Sequence, residues 1–365
     1  MNKRGIGWSQ VFAFRLARNH FLDQQASDLV RISSDICGVQ AQVMGSARLA
    51  LWTRNRDIQQ QDVQRALIQT RKLVRASCMR QTLHLLPASE FYIYIEALKR
   101  SRVEAILRGM SRFGANRKDA DRMNEIIVDL LSGGPKTQIE LSKELRPRVS
   151  KQVRSWMERF WSPARLAMVE GLVCHGPDRG KEATIVRTDQ WLARKKQLSE
   201  LESQKFLLRH YLKAYGPATA ADFSRWSGIS MKDTVPVWNL LTDELRDVSI
   251  EDRKSWLMRE DYEALAGSKL SEPILRLLPG FDPYLLSHVE KGHLIDKALY
   301  KRVYRNQGWI SPVVLLDGRV IGIWSITGKG SESPVEIELF GKTSKSVRAR
   351  IDQEVASLST FLATA

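Results

Sequence analysis

The sequence predicts a mainly α-helical chain with small β-sheets, an α+β class. Three observations carry this. The first 160 residues space their apolar side chains at helical intervals, broken by two short β-compatible runs. The same order of helices and a short ribbon returns further along the chain. The last quarter sets Asp-Gly between β-branched runs and follows it with a strand of period two.

Val11, Phe12, Phe14, Leu16 and Ala17 fit one amphipathic helix ending before Phe21. Ser27 before Asp28-Leu29-Val30-Arg31-Ile32 reads as an N-cap and helix start. A third helix spans about 46–53, and a fourth about 60–71 with Val63, Ala66, Leu67 and Thr70 on its apolar side. Runs 73–78 and 82–86 then form a hairpin that ends at Pro87. Helices followed by a two-stranded ribbon are the order of a winged helix. Residues 119–145 offer two more helices around the turn Ser132-Gly133-Gly134-Pro135, and Thr137 with Glu140 is a capping box. A helix over about 149–160 precedes a second hairpin, 171–176 with 183–186. A third unit opens with a helix from Phe206 to Tyr215, stopped by Gly216-Pro217, and a short one over 218–226 closed by Gly228. Residues 235–265 add a helix and strands. At the end, Val313–Leu316, Asp317-Gly318 and Arg319–Trp324 make a hairpin, 335–340 a strand, and 344–362 a helix. The expected division is three tandem winged helix-turn-helix units, 1–115, 116–200 and 201–276, and a β-rich region, 277–365.

Composition narrows the function. The chain has 365 residues, 57 Lys+Arg against 41 Asp+Glu and a net charge of +16, so a polyanion is the natural partner. Residues 1–200 hold 35 basic and 20 acidic residues, or +15; residues 201–365 hold 22 and 21, or +1. That segregation suits a surface tracking phosphates. Ten Trp, eleven Phe and eight Tyr exclude disorder as the dominant state. Three cysteines without CxxC spacing, Cys37, Cys78 and Cys174, argue against a disulfide framework, a zinc ribbon and an iron–sulfur cluster. The six histidines do not cluster at ligand spacing, so neither a metal nor an organic cofactor is expected. The start of the chain lacks the apolar run of a signal peptide, and no stretch is long and apolar enough to span a bilayer. A cytoplasmic, nucleoid-associated protein with no membrane partner is the expectation.

Four stretches, in order over about residues 30–325, resemble the AlkZ-type DNA glycosylases, relatives of YcaQ. They are Val39-Gln40-Ala41-Gln42, with the context Arg48-Leu49-Ala50-Leu51-Trp52-Thr53-Arg54; Met79-Arg80-Gln81-Thr82-Leu83-His84-Leu85; Tyr215-Gly216-Pro217-Ala218-Thr219 with Asp222-Phe223 and Trp226-Ser227-Gly228; and Leu278-Pro279-Gly280-Phe281-Asp282-Pro283, followed by Pro312 and Asp317–Trp324. Gln81 departs from the family's Gly and Ile323 from a small polar residue. Gln42, where the YcaQ branch carries Asp, places the chain nearer the Gln-apolar-Gln branch. The resemblance implies tandem winged helices around a basic concave surface for duplex DNA. It also implies hydrolysis of the N-glycosidic bond of N7-alkylated purines, unhooking of interstrand crosslinks, and resistance to an alkylating natural product. Gln40 and Gln42 are then the catalytic candidates.

An amide is no strong base at neutral pH, yet its carbonyl oxygen can hold a water and face a sugar cation. An N7-alkylated guanine already carries positive charge and leaves without protonation, so weak assistance suffices. Two residues apart, the pair shares a face only on extended chain, so 39–43 should not be mid-helix. A base tethered to the opposite strand cannot rotate freely out of the duplex, so an open site suits a crosslink better than a deep pocket. Arg48, Arg54 and Arg56 flank the third helix and are expected at phosphates. Arg80 and His84 sit on the first wing, where His84 either touches the lesion strand or fixes the hairpin. Arg319 beside Asp-Gly is placed for a backbone or minor-groove contact. Trp226 and Trp324 read as core. Leu278-Pro279-Gly280 reads as a turn rather than a helix-hairpin-helix. The competing function is a winged-helix transcription regulator or another non-catalytic DNA binder. Three units in one chain favour a monomer clamp on double-stranded DNA.

Overall fold

The computed structural model of the chain describes residues 5–25, 28–159, 162–193, 198–326 and 335–363. It mixes helices with small antiparallel sheets, as the patterning predicts. The chain divides into two compact units: one of Met1–Val63, Leu208–Trp226 and Met231–Ala365, the other of Gln64–Leu207 with Ser227–Ser230.

In the second unit, strand Leu73–Ser77 pairs with Leu83–Pro87, and Val173–His175 with Thr184–Arg187, so both expected hairpins form. They join through Arg75 opposite His175, and Lys136–Thr137 adds to the far edge. The capping box at Thr137 is present in both directions: the Thr137 N–H donates to Glu140 Oε2 at 2.8 Å, and the Glu140 N–H to Thr137 Oγ1 at 3.2 Å. Helix Phe91–Ser111 does not figure in the sequence reading; it buries Phe91, Tyr94, Ile95, Leu98, Arg102, Val103, Ile106 and Met110, a 3.6-residue stripe interrupted by one arginine. Val103, Ile106 and Met110 pack with Met123, Leu141, Trp156 and Val173 in the unit's core.

The first unit opens with helix Trp8–Arg18, whose Val11, Phe12, Phe14 and Leu16 are buried. Ser27 lies outside the described residues; helix Leu29–Asp35 is capped by Asp28, whose Oδ1 accepts the N–H groups of Val30 and Arg31 at 2.8 Å each. The fourth helix starts at Gln60 and continues as a π-helical stretch, Arg65–Gln69, in the second unit. Helix Glu200–Tyr215 ends at Gly216, and Ala220–Ser227 follows. Strands Leu245–Ile250 and Arg253–Met258 form a hairpin. A four-stranded sheet runs in the order Val335–Leu339, Arg319–Ile326, Val313–Leu316, Leu275–Leu278, and helix Lys345–Ala363 covers it through Ile351, Leu358 and Phe361. Trp324 and Trp226 are buried, as expected. The Trp324 indole donates to Leu278 O at 2.9 Å.

The Asp-Gly turn forms with φ +49 at Asp317 and +89 at Gly318, the left-handed pair that a two-residue hairpin demands. A Cβ on Gly318 would stand 2.8 Å from Phe12 of the first helix. Gly318→Ala therefore meets both a backbone penalty and a clash, and should lower unfolding stability by about 2 kcal/mol or more, read from denaturant midpoints.

Candidate functional site

The Gln-apolar-Gln segment begins where helix Leu29–Asp35 stops. Cys37 and Gly38 take φ +57 and +86, and their N–H groups return to Ser34 O at 3.0 Å and Ser33 O at 2.7 Å. This left-handed exit closes the helix and throws the chain into extended backbone at Val39–Gln40. A bend follows at Gln42 before helix Met44–Trp52 begins. The segment is thus non-helical, the condition that two glutamines working together impose. They are not equivalent: Gln40 is buried at 7% exposure between fully buried Val39 and Ala41, whereas Gln42 is exposed.

Residues far along the chain fix this turn. Tyr215 Oη donates to Ile36 O at 2.6 Å, one residue before Cys37. The Tyr215-Gly216-Pro217 stretch is itself held by Arg15, which donates to Gly216 O and to Pro217 O at 2.7 Å. Tyr211, Phe223 and Trp226 pack around Tyr215 in an aromatic cluster. Here the third motif serves as a buttress for the first. Thr219 and Asp222 cap the intervening helix, and Asp222 Oδ1 also accepts the Val289 N–H at 2.8 Å.

The arginines separate. Arg48 lies on helix Met44–Trp52, half-buried, and makes no ion pair among the described residues. Arg56 lies over the Trp52 ring at 3.8 Å and pairs with Glu354 at 2.6 Å. Arg319 is exposed and pairs with Asp296 at 3.0 Å. Arg54, expected at a phosphate, is a correction. Its side chain is sealed from solvent and forms a two-pronged bond to Asp282, 2.8 Å on each prong, with a further bond to Ala50 O. A guanidinium enclosed in this way has no route to a DNA backbone; its task is to join the helix after the glutamines to the Leu278–Pro283 turn. Sequence could have hinted at this only through Asp282, which is itself a motif residue.

Between the strands of the first hairpin, Arg80 and Gln81 both take left-handed backbone, φ +53 and +62. That explains the family's glycine at position 81. Gln81 tolerates the conformation here and accepts a hydrogen bond from Arg165 at 2.5 Å. Gly228, from the third motif, rests against the Arg80 backbone, where a Cβ would come within 3.3 Å of its nitrogen. His84 is the second correction: it is buried, and its Nδ1–H donates to Thr82 O at 3.0 Å, so of its two expected roles it takes the one that fixes the hairpin. Burial, then the positive field of Arg80, pushes its pKa down to about 3. His175, across the same sheet, is held down to about 4 by burial and Arg75. Both are neutral at pH 7. The three cysteines are buried and form no disulfide, and burial raises Cys78 and Cys174 to about 12, so neither of these two is a poised nucleophile. Among the described residues, no helix is long and apolar enough to cross a membrane.

A mixed α/β chain of small antiparallel sheets, carrying two glutamines on a braced non-helical segment, defines a recognisable class. Residues 34–361 match the family model described as DNA glycosylase AlkZ-like. The chain is 34% identical to the interstrand DNA cross-link repair glycosylase of Streptomyces sahachiroi over 333 residues, 87% of this chain and 88% of that one. It superposes on the solved structure of Streptomyces sahachiroi DNA glycosylase AlkZ with a TM-score of 0.86 and 29% identity, over 98% of this chain and 97% of that one. The chain belongs to the AlkZ-like DNA glycosylase family. It is therefore an enzyme acting on N-glycosyl bonds, which decides against the regulator.

Two outcomes follow for this site. Arg54→Ala strands a buried carboxylate and should cost about 3–5 kcal/mol in urea unfolding, whereas Arg56→Ala should cost about 1 kcal/mol. The second outcome concerns acid. An unfolded histidine takes up a proton near pH 6.5, but folded His84 and His175 resist until about 3 and 4. Their contribution to stability is complete above about pH 6.5 and declines as pH falls towards 4. His84→Gln should make that decline shallower in melting curves taken between those limits.

Proposed function

We propose that the protein is a monofunctional DNA glycosylase that hydrolyses the N-glycosidic bond of N7-alkylated purines and unhooks interstrand crosslinks. It would serve in repair or in self-resistance to an alkylating natural product. The observation that carries this reading is the Gln40-Ala41-Gln42 segment, non-helical and braced, in a chain whose curated relative is named for crosslink repair.

In this reading the glycosidic bond breaks with its electron pair moving onto the alkylated base, which neutralises that base's positive ring. Gln42, exposed, accepts a hydrogen bond from the attacking water and orients it on the sugar carbon. Gln40, which is buried, presents its carbonyl dipole to the developing sugar cation away from bulk water, where a fixed dipole counts for more. The water's proton passes to bulk solvent. Arg48, Arg80 and Arg319 serve the DNA backbone, and Arg56 joins them on releasing Glu354. The four segments, 1–115, 116–200, 201–276 and 277–365, act as three winged-helix units and a β-rich region in a monomer on duplex DNA. No cofactor takes part.

The test is a duplex carrying N7-methylguanine, incubated with protein and heated in alkali to cut at abasic sites. Gln40→Ala and Gln42→Ala should each slow excision by about 100-fold while duplex affinity stays within threefold. Borohydride should trap no protein–DNA adduct. Rapid release of uncharged bases, or variants as fast as the parent, would overturn the assignment.

A further inference from the structure

The near-neutral second half of the chain conceals a concentrated patch. Residues 297–309 contain Lys297, Lys301, Arg302 and Arg305, and no acidic residue. The segment is an ordered projection. It runs through short turns Lys297–Leu299 and Tyr300–Val303, then reverses at Asn306–Gly308, where Gln307 and Gly308 take φ +57 and +78. Its base is anchored by buried Val303, by the Ser311 hydroxyl on Arg302 O at 2.9 Å and by the Tyr304 hydroxyl on Leu285 O at 2.9 Å.

Two aromatic faces stand out on this projection. Trp309 is 54% exposed and Tyr300 41%. Each is backed by a second ring: Trp309 by Phe281 at 5.3 Å, Tyr300 by Tyr304 at 4.8 Å and 22°. Arg302 is tied to Glu338, but Lys297, Lys301 and Arg305 are exposed and make no ion pair among the described residues. A half-exposed tryptophan, backed by a second ring and in a segment rich in cations, is costly to solubility unless something covers it.

The chemistry that covers it is a base with a phosphate on either side. Base faces are hidden in a duplex and open in a single strand, and stacking on aromatic rings with cations along the backbone is how unpaired nucleic acid is held. An acidic peptide would satisfy the cations but not the flat faces. We infer that residues 297–309 form a binding surface for single-stranded DNA, with Trp309 and Tyr300 stacking bases and Lys297, Lys301 and Arg305 meeting phosphates. This rests on the reading that the protein works on DNA, and gives it a hold on unpaired flanks beside its duplex substrate.

The experiment measures anisotropy of a labelled oligodeoxythymidylate and, separately, of a blunt undamaged duplex, with the full chain. Trp309→Ala should weaken oligodeoxythymidylate binding by about 5- to 150-fold. The triple change Lys297→Ala, Lys301→Ala, Arg305→Ala should lower the slope of log affinity against log salt by about 2. Blunt-duplex binding should change by less than twofold. Trp309→Leu keeps an apolar contact on Phe281 and guards against a folding defect, and Trp309→Phe should restore part of the affinity. The inference falls if the single strand binds all variants alike, if duplex binding drops as far as single-strand binding, or if polyglutamate competes as well as the oligonucleotide. Excision of N7-methylguanine from the blunt duplex is read in parallel, so a protein without glycosylase activity still reports on this surface.

Discussion

A fully buried guanidinium–carboxylate pair joins distant parts of the first unit. Arg54 and Asp282 stand 228 residues apart in sequence and meet without exposed surface. Neither could be enclosed alone, because an isolated charge in such a setting costs far more than the pair returns. The arrangement around them follows. Arg54 also satisfies Ala50 O and lies over Phe21, so the end of the helix after the glutamines is fixed. Asp282 also caps Tyr284, so the turn around Phe281 is fixed, and with it the ring that backs Trp309. One ion pair thus positions the helix that follows Gln40 and Gln42 on one side and the turn around Phe281 on the other.

The same logic recurs in gentler form. Several buried polar groups outside the glutamine segment orient backbone. Tyr215 holds a carbonyl beside the glutamine turn, Arg15 holds the two carbonyls that follow Tyr215 in the chain, and neutral His84 bonds within the first hairpin. In the proposed mechanism two uncharged amides would bring little electrostatic strength of their own, so accuracy of placement would have to supply what charge does not. That is a physical reason for so much enclosed hydrogen bonding far from Gln40 and Gln42.

Sequence carried the local devices well. Asp317-Gly318 dictated its hairpin and Thr137 with Glu140 dictated a helix start, because each signal lies within a few residues of its effect; the glutamine spacing asks for a non-helical segment only where both side chains work together. Signals acting at a distance were illegible. Nothing near Arg54 distinguishes a sealed ion pair from a phosphate contact when its partner lies 228 residues away. Helix Phe91–Ser111 went unread although its apolar stripe was present, since charged side chains alternate along its outer face. Averaging charge over the last 165 residues masked residues 297–309, whose cations are offset by acids elsewhere.

The division of the chain sets a timetable for its birth. One unit is nearly contiguous, Gln64–Leu207, and has all but four of its residues available midway through synthesis. The other needs Met1–Val63 and also everything from Met231 to the end. Phe12 waits for Gly318, and Arg54 for Asp282. At the usual pace of about 5–20 residues per second, the opening helices spend many seconds on the ribosome without their partners. Their apolar faces then wait for partners while the later-encoded unit is already folding.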